Sequence, residues 1–257
     1  MSVIFNTANS FEDQQLITGT SMSFTSNAPV SGKSGVVTSS ANRVLIAFLS
    51  FQDVGATSGH AMTWAGQAMT LINSVTFNTY KIFCFELHTD ATIATGAQVL
   101  GASWTGSLSS ATITLFGFSV SGADQTTGYQ NFTSASDASG TTNNPSVTIT
   151  SADGNIAVAS FADDNASSFT VGGTSHSPPE VDERDLTGNY QLVYNDTSSA
   201  SKQINGTLGS NKPWGVCGVD VVAVSAGGPS AGTDTATAGL TDTMKTVSVS
   251  LSIQESG

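Results

Sequence analysis

The chain reads as an all-β protein, a two-layer antiparallel sandwich with an internal pseudo-repeat and a C-terminal strand extension. Three observations predict this. No run of eleven or more residues carries an apolar stripe at helical spacing, while β-branched and aromatic residues come in short runs broken by Gly, Ser, Asn and Asp. Second, Ile46-Ala47-Phe48-Leu49-Ser50-Phe51-Gln52-Asp53 returns as Ile156-Ala157-Val158-Ala159-Ser160-Phe161-Ala162-Asp163, with five of eight positions identical. The same offset of 110 residues carries Tyr80-Lys81-Ile82-Phe83 onto Tyr190-Gln191-Leu192-Val193, and Thr63-Trp64-Ala65-Gly66 matches Thr170-Val171-Gly172-Gly173 after a slip of three. A repeat of this period argues for two similar halves within one body. Third, a Gly-, Ala- and Thr-rich connector separates the body, residues 1–225, from the alternating segment Thr246–Ile253 in the extension, residues 226–257.

Taken in order, a lead-in at Val3–Phe5, Met22–Phe24 and Val36–Thr38 precedes the first half, residues 42–120. Its strands fall near Arg43–Phe51, Ala61–Trp64, Thr70–Val75, Tyr80–Leu87, Gln98–Trp104 and Ala111–Ser119, with Ala65-Gly66-Gln67-Ala68 as a hairpin turn. The second half, residues 146–224, repeats this near Ser146–Thr150, Asn155–Phe161, Ser168–Val171, Tyr190–Tyr194, Lys202–Leu208 and Gly215–Val224. Ser121–Asn144 and Thr174–Asn189 read as loops because Ser, Thr, Gly, Asn and Pro dominate them.

Alternation in Ala111–Leu115 and Ser146–Thr150 fits half-buried strands. Val44–Phe51 does not alternate, and a continuous apolar strand needs cover on both faces. That cover is either the chain's own loops or a neighbouring subunit. Trp64, Trp104 and Trp214 sit in apolar company and read as packing residues, as do Cys84 and Cys217, taken as buried free thiols.

Charge narrows the function classes. Seven Lys and Arg face nineteen Asp and Glu, a formal net charge of −12. Nucleic-acid binding needs clustered cations to displace counterions from phosphates, so no nucleic-acid partner is expected. No apolar run is long enough to span a bilayer, so no membrane partner is expected. The first residues lack a basic start followed by a long apolar run, and no signal peptide is expected.

The succession Asn42-Arg43-Val44-Leu45-Ile46-Ala47, Thr63-Trp64-Ala65-Gly66-Gln67-Ala68-Met69-Thr70, Tyr80-Lys81-Ile82-Phe83 and Ala111–Ser121 continuing into Gly122-Ala123-Asp124-Gln125-Thr126 resembles a β-sandwich module of tailed-phage structural proteins and large bacterial surface proteins. The resemblance spans roughly residues 42–224. It implies a jelly-roll type of sandwich, used as a building block on a virion or cell surface, and it brings no catalytic residues with it.

Reactive motifs are poorly placed. Gly228-Pro229-Ser230-Ala231-Gly232 has the pattern of a nucleophile elbow but lies in the connector, with no strand–turn–helix around it. Ser31-Gly32-Lys33-Ser34 ends like a phosphate loop, yet Asn27 stands where its first Gly is required. His60, His88 and His176 have no recognisable nucleophile partner in sequence. No enzyme activity, cofactor or metal is expected, the weak calcium candidates being Asp163, Asp164, Glu180 and Asp182.

These readings converge on a non-enzymatic virion structural protein, a capsid decoration or fibre component, with other virion subunits and further copies of itself as partners. Thr246, Val247, Val249, Leu251 and Ile253 are the expected assembly contact, made by adding a strand to a neighbouring sheet, with another subunit favoured over the chain's own sheet as acceptor. The alternative is an extracellular surface module that binds a glycan or receptor, with Tyr129 and Phe132 as its ligand loop.

Overall fold

The computed structural model describes residues 4–5, 11–25, 42–53, 57–96, 98–164, 168–173, 175, 182–184 and 189–224. The chain divides into two units, Met1–Ala226 and Gly227–Gly257, of which the second lies outside the described residues. Sixteen strands are described: β1 (Ile4–Phe5), β2 (Phe11–Thr25), β3 (Val44–Gln52), β4 (Ser58–Trp64), β5 (Gln67–Ala68), β6 (Thr70–Phe77), β7 (Tyr80–Leu87), β8 (Val99–Ser121), β9 (Tyr129–Asp137), β10 (Ser146–Thr150), β11 (Ile156–Asp163), β12 (Phe169–Val171), β13 (Asp182–Arg184), β14 (Asn189–Asn195), β15 (Ser201–Leu208) and β16 (Trp214–Val221). Every pairing between them is antiparallel, and among the described residues one 3-10 turn, Asp90–Thr92, interrupts the all-β pattern.

Three sheets result. One has eight strands in the order β5-β4-β8-β3-β7-β6, with β1 and β2 also pairing to β8; the others run β10-β15-β12 and β13-β14-β11-β16-β9. The largest sheet doubles back on itself. Its hinge is β8, a single 23-residue strand whose first part pairs with β4 and whose last part pairs with β3. Gly106, at φ 95°, lies at this corner, and β2 changes register beside it around Gly19. The sequence reading had split β8 into Gln98–Trp104 and Ala111–Ser119, because Gly and Ser between them look like a turn. Here they bend a strand without ending it.

Three buried clusters lie between the layers. Leu45, Ala47, Leu49 and Phe51 of β3 face Met62, Trp64, Leu100, Ala102 and Trp104 across the folded sheet. Val147, Ile149, Ile204 and Leu208 meet Ala157, Ala159, Phe161, Val193 and Val216 in the second half. The third cluster joins the halves: Val44, Ile46, Phe48, Phe77, Tyr80 and Ile82 pack on Ile156, Val158, Tyr190, Leu192, Cys217 and Val219. The three clusters lie between stacked antiparallel sheets, consistent with the expected β-sandwich.

This stacking answers the question posed by Val44–Phe51. Its second face is covered by the chain's own second half, through strands and not through loops. β11 is likewise buried at every position. Trp64, Trp104 and Trp214 are buried, as are the free thiols Cys84 and Cys217.

The segment Ser121–Asn144 is not all loop. It contains β9, which pairs with β16 from Trp214↔Asp137 to Val221↔Tyr129. Only Tyr129 and Ala135 of β9 lean on apolar clusters, so an edge strand this polar leaves little hydrophobic pattern to read. Thr174–Asn189 is likewise not all loop, since β13 pairs with β14 there. Val36–Thr38 falls outside the described residues.

Candidate functional site

Most polar clusters in the body are internal fastenings. Beside β3, Lys81 Nζ lies 2.5 Å from Asp53 Oδ2, which also accepts the Thr57 hydroxyl at 2.8 Å. With its own hydrogen given to Asp53, Thr57 Oγ1 accepts from His60 Nε2 at 2.9 Å. His60 therefore donates here and does not act as a base toward Thr57. Its ring stacks on Phe83, with centroids 4.2 Å apart. Burial, then the charge of Lys81, lowers its pKa.

The second cluster is more deeply buried. Lys202 Nζ donates to Ser151 Oγ (2.6 Å), Ala152 O (2.8 Å) and Ser199 O (3.3 Å), which uses all three of its hydrogens. Asp220 accepts from Ser151 Oγ (2.5 Å), Asn155 Nδ2 (2.6 Å) and Gln130 Nε2 (3.0 Å). Asn155 Oδ1 in turn accepts the Ala223 amide at 2.9 Å. Lys202 and Asp220 are both 0% exposed. Burial lowers the Lys202 pKa and raises that of Asp220, each against the pull of the other charge. Ser151 touches a lysine amine, an arrangement used by some hydrolases, but here its hydroxyl donates to Asp220 while accepting from Lys202. The network ties β15 to β16 and the ends of β10 and β11.

Exposed apolar surface points elsewhere. Leu71, Val99 and Phe132 are the exposed large hydrophobic residues among those described, at 47%, 42% and 56%. Leu71 lies on β6 and Phe132 on β9, and β6 packs across β9 and β16 where the two halves meet. Each strand ends its sheet, and each is irregular beside its exposed residue. β6 shifts register between Leu71 and Asn73; β9 shifts against β16 between Gly218 and Asp220, with Asn131 at φ 47°. A bulge re-aims side chains, and here it accompanies an exposed phenyl ring. Asn73 Nδ2 closes the seam, donating to Thr133 O at 2.7 Å and Gly218 O at 3.2 Å.

The sequence-derived site residues distribute as follows. Tyr129 and Phe132 lie on strand β9, not in a loop; Tyr129 is half-buried against the central cluster and Phe132 is exposed. Asp163 lies inside β11 and is buried, while Asp164 accepts from the Tyr80 hydroxyl at 3.1 Å. Asp182 belongs to β13, and Glu180 lies outside the described residues. Among the described residues no three His, Cys, Asp or Glu side chains gather as a metal site. Thr246, Val247, Val249, Leu251 and Ile253 lie outside the described residues, as do His176, Gly228–Gly232 and Ser31–Ser34. The seam residues Leu71 and Asn73 escaped the sequence reading. Their only signal was one Leu and one Asn in a strand of otherwise ordinary alternation.

No family model, no curated protein and no solved structure matches this chain.

Proposed function

We propose that this protein is a non-enzymatic structural component of a virion, a capsid decoration or fibre part, built from two jelly-roll-type sandwiches in tandem and attached by strand addition and apolar contacts. The observation that carries the reading is the seam: two edge strands, β6 with no charged residue and β9 with Asp137 alone at its end, pack against each other with Leu71 and Phe132 exposed. Such a surface suits lateral attachment better than chemistry.

Tandem duplication is supported by register. Tyr80 pairs with Gln52, and Tyr190 pairs with Ala162, so the 110-residue offset holds on both strands of the pair at once. Val171 pairs with Gly206 as Trp64 pairs with Leu100. The jelly-roll type is supported by strand order. Numbered within the second half, the first, eighth, third and sixth strands (β9-β16-β11-β14) adjoin in one sheet and the second, seventh and fourth (β10-β15-β12) in the other, while the fifth, β13, departs from that order by pairing with the sixth at the edge of the first sheet. That order follows from folding one long hairpin over twice. The resemblance over residues 42–224 supplies the virion.

The test is localisation. Particles purified through a density gradient should carry the chain at constant stoichiometry, and a chain truncated after Ser225 should remain folded but be lost from them. Recovery of the protein only outside particles overturns the virion reading. The glycan- or receptor-binding alternative draws on the outward face of β10-β15-β12, where Thr148, Thr150, Gln203 and Thr207 are exposed and uncharged. Retention on a neutral polysaccharide column would favour it.

A further inference from the structure

The strand-addition reading above leaves the acceptor unnamed; resting on that reading, we infer that the free edge of β9 receives the segment Thr246–Ile253 of a second copy of this chain. β9 ends its five-stranded sheet, and its pairing on the other side is entirely with β16. An exposed strand edge is a template for another strand, and proteins usually guard such edges with charge, proline or cover. The edge at β9 lacks the first two guards. Tyr129–Ser136 contains no charged residue and no proline. Its one carboxylate, Asp137, is turned back into its own loop, accepting the amides of Ser139, Thr141 and Thr142 and the hydroxyls of Thr141 and Thr142.

The other sheet ends are shorter or guarded: β5, β10 and β12 are 2, 5 and 3 residues long, too short to pair the whole of Thr246–Ile253. β13 reads Asp182-Glu183-Arg184, and β2, which occupies beside β8 the place that β9 occupies beside β16, carries Glu12 and Asp13. β6 is uncharged like β9, but its middle is taken up by the bulge at Leu71–Asn73, and Asn73 reaches across to β9. β9 has its bulge near one end and runs regularly from Thr133 to Asp137 against β16. The incoming segment matches. Thr246–Ile253 is uncharged, as long as the edge to within a residue, and carries Val247, Val249, Leu251 and Ile253 on one face. On a protein of net charge −12, two uncharged strands are where copies approach without repulsion. Exposed Phe132 and Leu71 offer the apolar face something to cover.

Three proteins test this: the full chain, the chain truncated after Ser225, and the full chain with Phe132→Lys and Ser134→Lys, both at exposed positions. All three cores lie between Val44 and Ala223, so truncation leaves them intact. Sedimentation over a concentration series should show the full chain associating and both altered proteins at the mass of one chain, with unchanged melting curves. A chain carrying Ser134→Cys and Ser250→Cys should form intermolecular disulfides on oxidation, since Cys84 and Cys217 are buried. If truncation abolishes association while the double lysine chain associates as before, and no disulfide forms, the acceptor is elsewhere and only this inference falls. If the truncated chain associates like the full one, or the full chain stays monomeric throughout, strand addition between copies falls with it.

Discussion

The two parts of the body, residues 42–121 and 129–224, hold their layers together in different ways. The first does so with an uninterrupted strand, β8, which passes through both layers, and closes its far end with Arg43, whose guanidinium lies 2.5 Å from Asp90 while Gln125 bonds both Arg43 O and the Asp90 amide. The second has separate strands, β15 and β16, and closes its far end with the buried Lys202–Ser151–Asp220–Asn155 network. A buried ionic network stabilises little when replaced wholesale by apolar groups, but removing one member strands the rest. Residues 129–224 are therefore the brittle part.

The comparison breaks most easily at Lys202. Lys202→Ala or Asp220→Ala leaves the other charge buried and uncompensated and should cost about 3–5 kcal/mol in urea unfolding. Arg43→Ala, at a pair whose Asp90 side chain is 32% exposed, should cost about 1–2 kcal/mol. Equal losses at the two sites would erase the distinction. Next in size is Gly215, where a Cβ would strike the Phe77 ring across the interface between halves. Gly215→Val should cost about 1–3 kcal/mol by overpacking, and Phe77→Leu in the same chain should recover part of it, which thermal unfolding will read.

Smaller effects sharpen the likeness of the halves. Ser50 and Ser160 hold the same place in the repeat, both are 0% exposed, and neither hydroxyl has a hydrogen-bond partner among the described residues. We have no physical account of why both halves keep them. Ser50→Ala and Ser160→Ala should each be neutral or stabilising by up to about 1 kcal/mol, and a loss at either would expose a bond that matters. Smallest is a pH effect confined to the second half. Around Asp137, some desolvation opposes ionisation, but the amide and hydroxyl of Thr142, the hydroxyl of Thr141 and the amide of Ser139 hold its pKa down to about 2. A depressed carboxylate adds stability that is complete above its unfolded pKa of about 3.9 and fades as pH falls toward 2. Urea midpoints of the native chain and Asp137→Asn should thus differ at pH 6 and converge near pH 2.

Much of this frame was legible in the sequence, for a physical reason. Strands packed on both faces, such as Val44–Phe51 and Ile156–Phe161, are continuous apolar runs, and their equivalence was readable as repeated letters. Strands packed on one face, such as Ser146–Thr150, were readable by alternation. What stayed hidden was stiffness without hydrophobicity. β9 carries Ser, Thr and Asn because its sheet ends there, and the bend of β8 at Gly106 is written with the same letters as a loop. The network at Lys202 joins residues far apart in the chain, and the local Asp53–Thr57–His60 cluster is completed only by Lys81 from another strand, so no local pattern announces either. The seam is harder still, since Leu71, Asn73 and Phe132 gain meaning only when β6 is laid across β9.

The central cluster also sets a schedule for synthesis. β3, β7 and the end of β8 are complete when Ser121 has been made, but the sheet that covers them is not complete until Val221. At about 5–20 residues per second, a ribosome needs roughly 5–20 s to cross that interval. For those seconds Val44, Ile46, Phe48, Tyr80 and Ile82 have no lid, on a nascent chain crowded by identical neighbours along the same message. The face that joins residues 42–121 to residues 129–224 is, until then, the most adhesive surface of the nascent body, and chaperone demand during translation should peak between the two.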